Sequence, residues 1–236
     1  MVYDALLIHP TLANGYSIMN QSQIIYIQER IGTTGDGFWG PVSIATCQKY
    51  LRDMMPKPFR FPVEGSEEFE KFYGTHGEKD GYTPPHKTIE LPFTIYYQGE
   101  KKVNKLNVHE KCADSLLRVF ERLAVTFPDI ASREAAGILV YDGLYNPRLM
   151  RGSETKWSKH AWMTAIDINA AQNARKTRWP EKATMPIEVM ECFAREGWLS
   201  GGAFWGYDAM HFQATSPKQP HLLTAETKIS LENKDD

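Results

Sequence analysis

The chain has no run approaching the roughly 18 apolar residues that a membrane-spanning helix needs, so insertion in a membrane is not expected. It contains no internal repeat. Cysteine is scarce: Cys47, Cys112 and Cys192 stand alone and far apart, which excludes a disulfide framework and a Cys-x-x-Cys metal knuckle. Any bound metal must then be held by histidine and carboxylate. There is no surplus of positive charge either. Lys and Arg number 27 against 29 Asp and Glu, a net −2, so nucleic acid is not expected as a partner. Met1–Asn20 lacks a basic start and holds only Ala5-Leu6-Leu7-Ile8 as an apolar stretch, so no cleavable export signal is expected. What remains is an ordinary globular composition, 42% hydrophobic and 24% charged over 236 residues. That length suits one large domain or, as preferred here, a small one followed by a medium one.

Near the start, Ile24, Ile27, Gln28 and Ile31 recur at helical spacing and Gly32 supplies a stop. Asp36-Gly37-Phe38-Trp39-Gly40-Pro41 reads as a turn in which Asp-Gly makes the bend. Pro41 then opens a second helix through Ile44, Cys47, Gln48 and Leu51. Helix, Asp-Gly-aromatic-Gly-Pro turn, helix is similar to the peptidoglycan-binding-like domain; a helical pair that only packs on the rest of the chain is the competing reading. Residues 1–55 are therefore taken as a small helical module. Residues 56–87, rich in proline, glycine and charge, are taken as linker and loop.

Residues 88–215 form the main domain and 216–236 a polar, mobile tail. Strands are expected at Leu91–Gln98, Ala136–Tyr141, Met163–Ile168 and His211–Ala214. Helices are expected at Val108–Phe127, with Leu116, Leu117, Phe120, Leu123, Ala124 and Phe127 as its apolar stripe, and at Pro186–Glu196, ended by Gly197. Strands spaced unevenly by helices and long loops imply an α+β fold: a small antiparallel sheet with flanking helices.

Two frames carry the chemistry. The first runs Ser158-Lys159-His160 to Ala165-Ile166-Asp167-Ile168; the second runs Gly201-Gly202 to Asp208-Ala209-Met210-His211. Two imidazoles and a carboxylate, His160, Asp167 and His211, suit a zinc ion with an open fourth position. Asp167 lies in an apolar segment and needs a partner there, a metal or an arginine. Asp208 stands three residues before His211 and is a candidate general base, or else an ordinary turn aspartate after Gly206-Tyr207. His9, His76, His86, His109 and His221 have no such frame and are read as surface or loop histidines. Trp157, Trp162, Trp179, Trp198 and Trp205 gather around the frames, for core packing or for a cleft.

Taken together and in this order, the frames resemble the zinc peptidases that include D-alanyl-D-alanine carboxypeptidases and L-alanyl-D-glutamate endopeptidases of phages and bacteria. The family hallmark, Ser-x-His-x-x-Gly-x-Ala-x-Asp followed by Glu or Asp three residues before a His, is matched at Ser158, His160, Ala165, Asp167, Asp208 and His211. The resemblance covers roughly residues 88 to 215. It implies one Zn2+ per chain, held by His160, Asp167 and His211, with Asp208 as catalytic base. It also implies an arginine for the substrate carboxylate or carbonyl, at Arg148 or Arg151, while Ser158 either contacts substrate or fixes the turn before His160. The implied activity is hydrolysis of peptide stems of bacterial peptidoglycan by a monomeric, endolysin-like enzyme, released to the wall by lysis. A non-catalytic wall-binding protein with a structural zinc is the alternative. The family glycine is Met163 here. Because Trp162 and Thr164 read as strand, Met163 is expected in ordinary extended backbone.

Overall fold

The computed structural model describes residues 21–218. The Met1–Asn20 segment, His9, His221 and the tail beyond Lys218 lie outside the described residues. Two helices, α1 (Gln21–Ile31) and α2 (Pro41–Met54), lead into α3 (Glu67–Tyr73). A hairpin of β1 (His86–Tyr97) and β2 (Lys101–His109) follows, then α4 (Glu110–Thr126) and α5 (Ile130–Ala135). The chain continues through β3 (Val140–Gly143), a 3-10 turn (Lys159–Trp162), β4 (Ala165–Ile168), α6 (Ala170–Asn173) and α7 (Ile187–Ala194). It then passes through β5 (Leu199–Ser200), α8 (Gly201–Trp205) and β6 (His211–Gln213).

The fold is mixed α and β, around one sheet in the order β2-β1-β3-β4-β6-β5. Neighbouring strands are antiparallel except β1 and β3, which are parallel. The expected wholly antiparallel sheet is corrected at that pair. After β2 the chain passes through α4 and α5 and re-enters on the other side of β1, running opposite to β2 and so parallel to β1.

The clearest helix of the sequence is present with a shifted stripe. Cys112, Ala113, Leu116, Val119, Phe120 and Leu123 of α4 are buried, packing on β1, β2 and α7. Leu117 and Ala124 lie at its border. His109 is no surface histidine: it is 1% exposed. Its Nδ1 accepts from the Lys111 N–H at 3.2 Å, capping α4, and its Nε2–H donates to the Tyr73 carbonyl at 3.0 Å. His76 stacks on Trp157 at 3.7 Å, and His86 opens β1.

Three elements escape a reading of periodicity. β2 is lysine-rich because it is an edge strand, where charge guards unpaired backbone. α3 sits inside the expected loop, burying Phe69 and Tyr73 and carrying Glu67, Glu68 and Glu70 where the helix dipole favours acid. α5 is opened by a capping box between Asp129 and Ser132. Residues 136–139, expected as strand, instead form a turn with Gly137 at φ +72°.

The leading helical pair is tightly built and shares the common core. Gln28, 1% exposed, spans the Asp-Gly turn: its amide donates to Asp36, the Phe38 carbonyl and Ser43, and its carbonyl accepts from the Gly37 N–H. Arg30 forms a two-pronged ion pair with Glu191 of α7 at 2.5 and 2.9 Å. Gln48 donates to carbonyls of α8, and Trp39 meets Trp179 edge-on at 5.3 Å. The proline-rich stretch is also fastened down. The Ser216 N–H donates to the Pro62 carbonyl at 2.9 Å and its hydroxyl to Phe61, so the first residue of the expected tail is buried and paired.

Candidate active site

β4 and β6 pair so that Asp167 lies directly opposite His211. Side chains at opposed positions share one face of a sheet, which is why residues so far apart in sequence meet. His160 comes from the 3-10 turn just before β4. The turn is held by the Gly77 N–H to the Ala161 carbonyl, by Asn146 N–H to the His160 carbonyl, and by the Trp162 indole to Gly74. Met163 closes it at φ 59°, ψ 30°, left-handed backbone, with its side chain buried. The expectation of extended backbone there is overturned. The chain must reverse from the turn into β4 within one residue, and the left-handed conformation does this whichever side chain is present.

The three donor atoms form a small triangle. His160 Nε2 is 3.2 Å from His211 Nδ1 and 3.2 Å from Asp167 Oδ1, and His211 Nδ1 is 3.0 Å from the same oxygen. The remaining ring nitrogens are committed. His160 Nδ1 lies 3.0 Å from the Leu144 carbonyl, which can only accept, so Nδ1 carries the proton. His211 Nε2 lies 3.2 Å from Gln213 Oε1, again an acceptor. In the neutral rings both free lone pairs therefore point at each other and at a carboxylate oxygen. Three acceptors facing one point call for a cation.

Electrostatics agree with that demand. Burial opposes ionisation of Asp167, yet His160 and His211 outweigh it and hold the carboxyl far below the usual range. For His211, burial pulls the other way but Asp167 wins, raising its affinity for a proton. Ligands about 2.0–2.1 Å from a tetrahedral zinc stand roughly 3.3–3.4 Å apart, close to the separations seen here. The residues fit the ion.

Asp208 precedes β6 in left-handed backbone, φ 61°, and its carbonyl accepts from the His211 N–H at 3.0 Å. Its Oδ1 is buried without a hydrogen-bond partner among the described residues. Burial chiefly raises its pKa; Asp167 adds to that, while His211, His160 and Arg175 pull it down. The Gly201-Gly202 pair of the second frame now has a reason. A Cβ on Gly201 would stand 2.4 Å from the Asp208 carbonyl oxygen, and one on Gly202 2.9 Å from Ala209 Cβ.

A cleft of about 520 Å³ opens over the triad and gathers Asp208, Arg148, Arg151 and Ser158 with it. The candidate metal-binding, base and substrate-binding residues thus line one cavity. Arg148 is half-buried and donates to the Leu149 carbonyl at 3.2 Å; Arg151 is exposed. Ser158 is buried and does not cap the 3-10 turn with its hydroxyl, its N–H being bound to the Arg148 carbonyl at 3.0 Å. Of the tryptophans, Trp162, Trp179 and Trp198 are core, whereas Trp205 lines the cleft with its ring 5.7 Å from His211.

Among the lining residues that sequence reasoning did not assign to the site are Arg175, Glu64, Lys159 and Gln213. Arg175 belongs to the segment that an Arg178–Tyr207 bridge ties to the Asp208 turn. Glu64 came from the supposed loop. Its burial opposes ionisation, but Lys159 and the Gln213 amide prevail and keep its carboxyl low. No signal short of the tertiary structure marks these four.

A family model described as D-alanyl-D-alanine carboxypeptidase matches residues 151–214. The match begins at Arg151, after Arg148, and contains Ser158, His160, Asp167, Asp208 and His211. It is narrower than the span expected from the sequence. Comparison with curated proteins and with solved structures found no match. Among the described residues no helix is long and apolar enough to cross a membrane.

Proposed function

We propose that this chain is a zinc-dependent peptidase that cleaves peptide stems of bacterial peptidoglycan. The observation that carries the reading is the triangle of acceptor atoms, with both imidazole tautomers turned so that their lone pairs face inward. A nitrogen, nitrogen, oxygen set favours zinc over magnesium or calcium, which prefer oxygen alone. His160, Asp167 and His211 would hold one ion per chain. Such an ion supplies Lewis acidity, polarising a carbonyl and lowering the pKa of a water toward ~7.

The protein's own residues do the rest. Asp208, with an unpartnered buried oxygen and a raised pKa, takes the proton of the attacking water and passes it to the leaving amine. Trp205 restricts solvent on one wall of the cleft. Arg148 and Arg151, with Arg175 from a separate segment, make a cationic rim suited to a substrate with a free carboxylate. Peptidoglycan stems carry such groups at D-glutamate and at the terminal D-alanine, so an L-Ala-D-Glu endopeptidase and a D-Ala-D-Ala carboxypeptidase both fit. The free Asp208 oxygen and the open cleft favour an enzyme over a wall-binding protein with a structural zinc. Phe38 in the turn before α2 and Val42 in its first turn, each 71% exposed, offer the helical pair an apolar contact with the wall.

Elemental analysis and mass spectrometry of digested wall fragments test this. About one zinc per chain and the appearance of new amino groups are expected, both lost after chelation. Protein that takes up no zinc, with no rise in melting temperature on its addition, overturns the proposal.

A further inference from the structure

Half-buried Glu64 and buried Lys159 and Gln213 form a polar array that the proposed chemistry does not use. The Gln213 amide nitrogen donates to Glu64 Oε2 at 3.0 Å and to Thr215 Oγ1 at 2.7 Å. Its carbonyl is thereby left for His211 Nε2 at 3.2 Å. The other Glu64 oxygen, Oε1, pairs with Lys159 Nζ at 3.2 Å. Lys159 is itself 8% exposed, and its ammonium lies over the Phe69 and Trp162 rings at 4.8 and 5.2 Å.

An amide can sit either way round. If Gln213 turned its NH2 toward His211, Nε2 would have to accept and the ring proton would move to Nδ1. Nδ1 is the atom that faces His160 and Asp167. A proton there occupies the lone pair that a cation needs. Thr215 cannot prevent the reversal, because a hydroxyl donates as readily as it accepts. A carboxylate only accepts, so an ionised Glu64 enforces one orientation.

We infer that Glu64 is a positioning residue for metal binding: it locks the Gln213 amide, which locks the His211 tautomer, and through Lys159 it anchors the turn that bears His160. One carboxylate from the segment between α2 and α3 thus ties together both histidine-bearing segments. The inference rests on the metal reading of the triad. Partners of this kind, lying behind the ligands, typically change metal affinity by about 10–100-fold.

The test is zinc affinity, measured on the full chain by competition with a chromophoric chelator, with histidine tautomers followed by nitrogen NMR. Glu64→Gln keeps shape but adds a donor, and should weaken zinc about 10–100-fold. It should also move part of the His211 population to the Nδ1–H tautomer. Gln213→Leu, which removes the acceptor, should weaken zinc comparably, and the double variant should be little worse than either single one. If either single variant fails to fold, the other still decides. Wild-type protein that binds no zinc removes the metal reading itself. Wild-type protein that binds zinc, alongside a folded Glu64→Gln or Gln213→Leu variant of equal affinity and unchanged tautomer, overturns the positioning role.

Discussion

Replacing Met163 by glycine sets two effects against each other at one residue. Left-handed backbone costs a residue with a Cβ roughly 1–2 kcal/mol, which glycine avoids. Met163 is also 4% exposed, and emptying a buried methionine site costs about 2–5 kcal/mol. At the midpoints of these ranges packing exceeds strain, so Met163→Gly should destabilise the protein by a net ~2 kcal/mol. At about 2–4 °C per kcal/mol for a chain near this size, the melting temperature should drop by roughly 4–8 °C. The turn that presents His160 needs only the dihedral angles, which glycine supplies, so zinc affinity should survive. Met163→Val is the opposite perturbation, retaining apolar bulk but resisting φ 59° because it is branched at Cβ. It should lose zinc affinity along with stability. Calorimetry with a parallel zinc titration measures both quantities. A Met163→Gly protein at least as stable as wild type would refute the packing estimate. A Met163→Val protein with full zinc affinity would refute the claim that this turn sets the site.

Asp208→Ala should retain zinc and fold while losing wall-clearing activity by roughly 10²-fold or more, the scale of a general base; surviving activity would assign that role elsewhere. His109 is held neutral chiefly by burial, which depresses its pKa below 6.5. The unfolded chain therefore binds the proton first, and stability present above about pH 6.5 is lost as pH falls toward the lowered folded value. His109→Asn, which keeps a capping acceptor, should flatten that loss when denaturant midpoints at pH 7.5 and 5.5 are compared; an unchanged difference contradicts the assignment. Removing residues 1–55 strips Ile24, Ile27, Ile31, Cys47 and Leu51 from the shared core. Circular dichroism should show that fragment partly unfolded, and a fragment melting like the full chain would show the helical pair to be separable.

That His160, Asp167, Asp208 and His211 meet in one cleft could be read from the chain because the short spacings within the two frames survive folding. The α4 helix, though not the full extent of its buried face, and the Asp36–Pro41 turn could be read because they rest on local periodicity and a local bend. Glu64 could not, since its meaning comes from Gln213, 149 residues away. His109 looked unremarkable because a cap is visible only when the start of its helix is known. Met163 misled through its flanks: Trp162 and Thr164 favour a strand, but tertiary anchors at Gly74, Gly77 and Asn146 fix a turn. β2 went unassigned because the lysines of an edge strand leave little apolar alternation to read.

The opposition of Asp167 to His211 bears on how the molecule reaches its native state. β4 has four residues and β6 three, too few for backbone bonds alone to choose a register strongly. A slip of one residue would send His211 to the other face of the sheet and leave Asp167 buried without its partner. An ion bridging the two would act as a proofreader of strand alignment, since only the correctly aligned pair can hold it. Such an ion should slow unfolding much more than it speeds folding, because its ligands, 44 positions apart in sequence, come together only after the chain between them is in place.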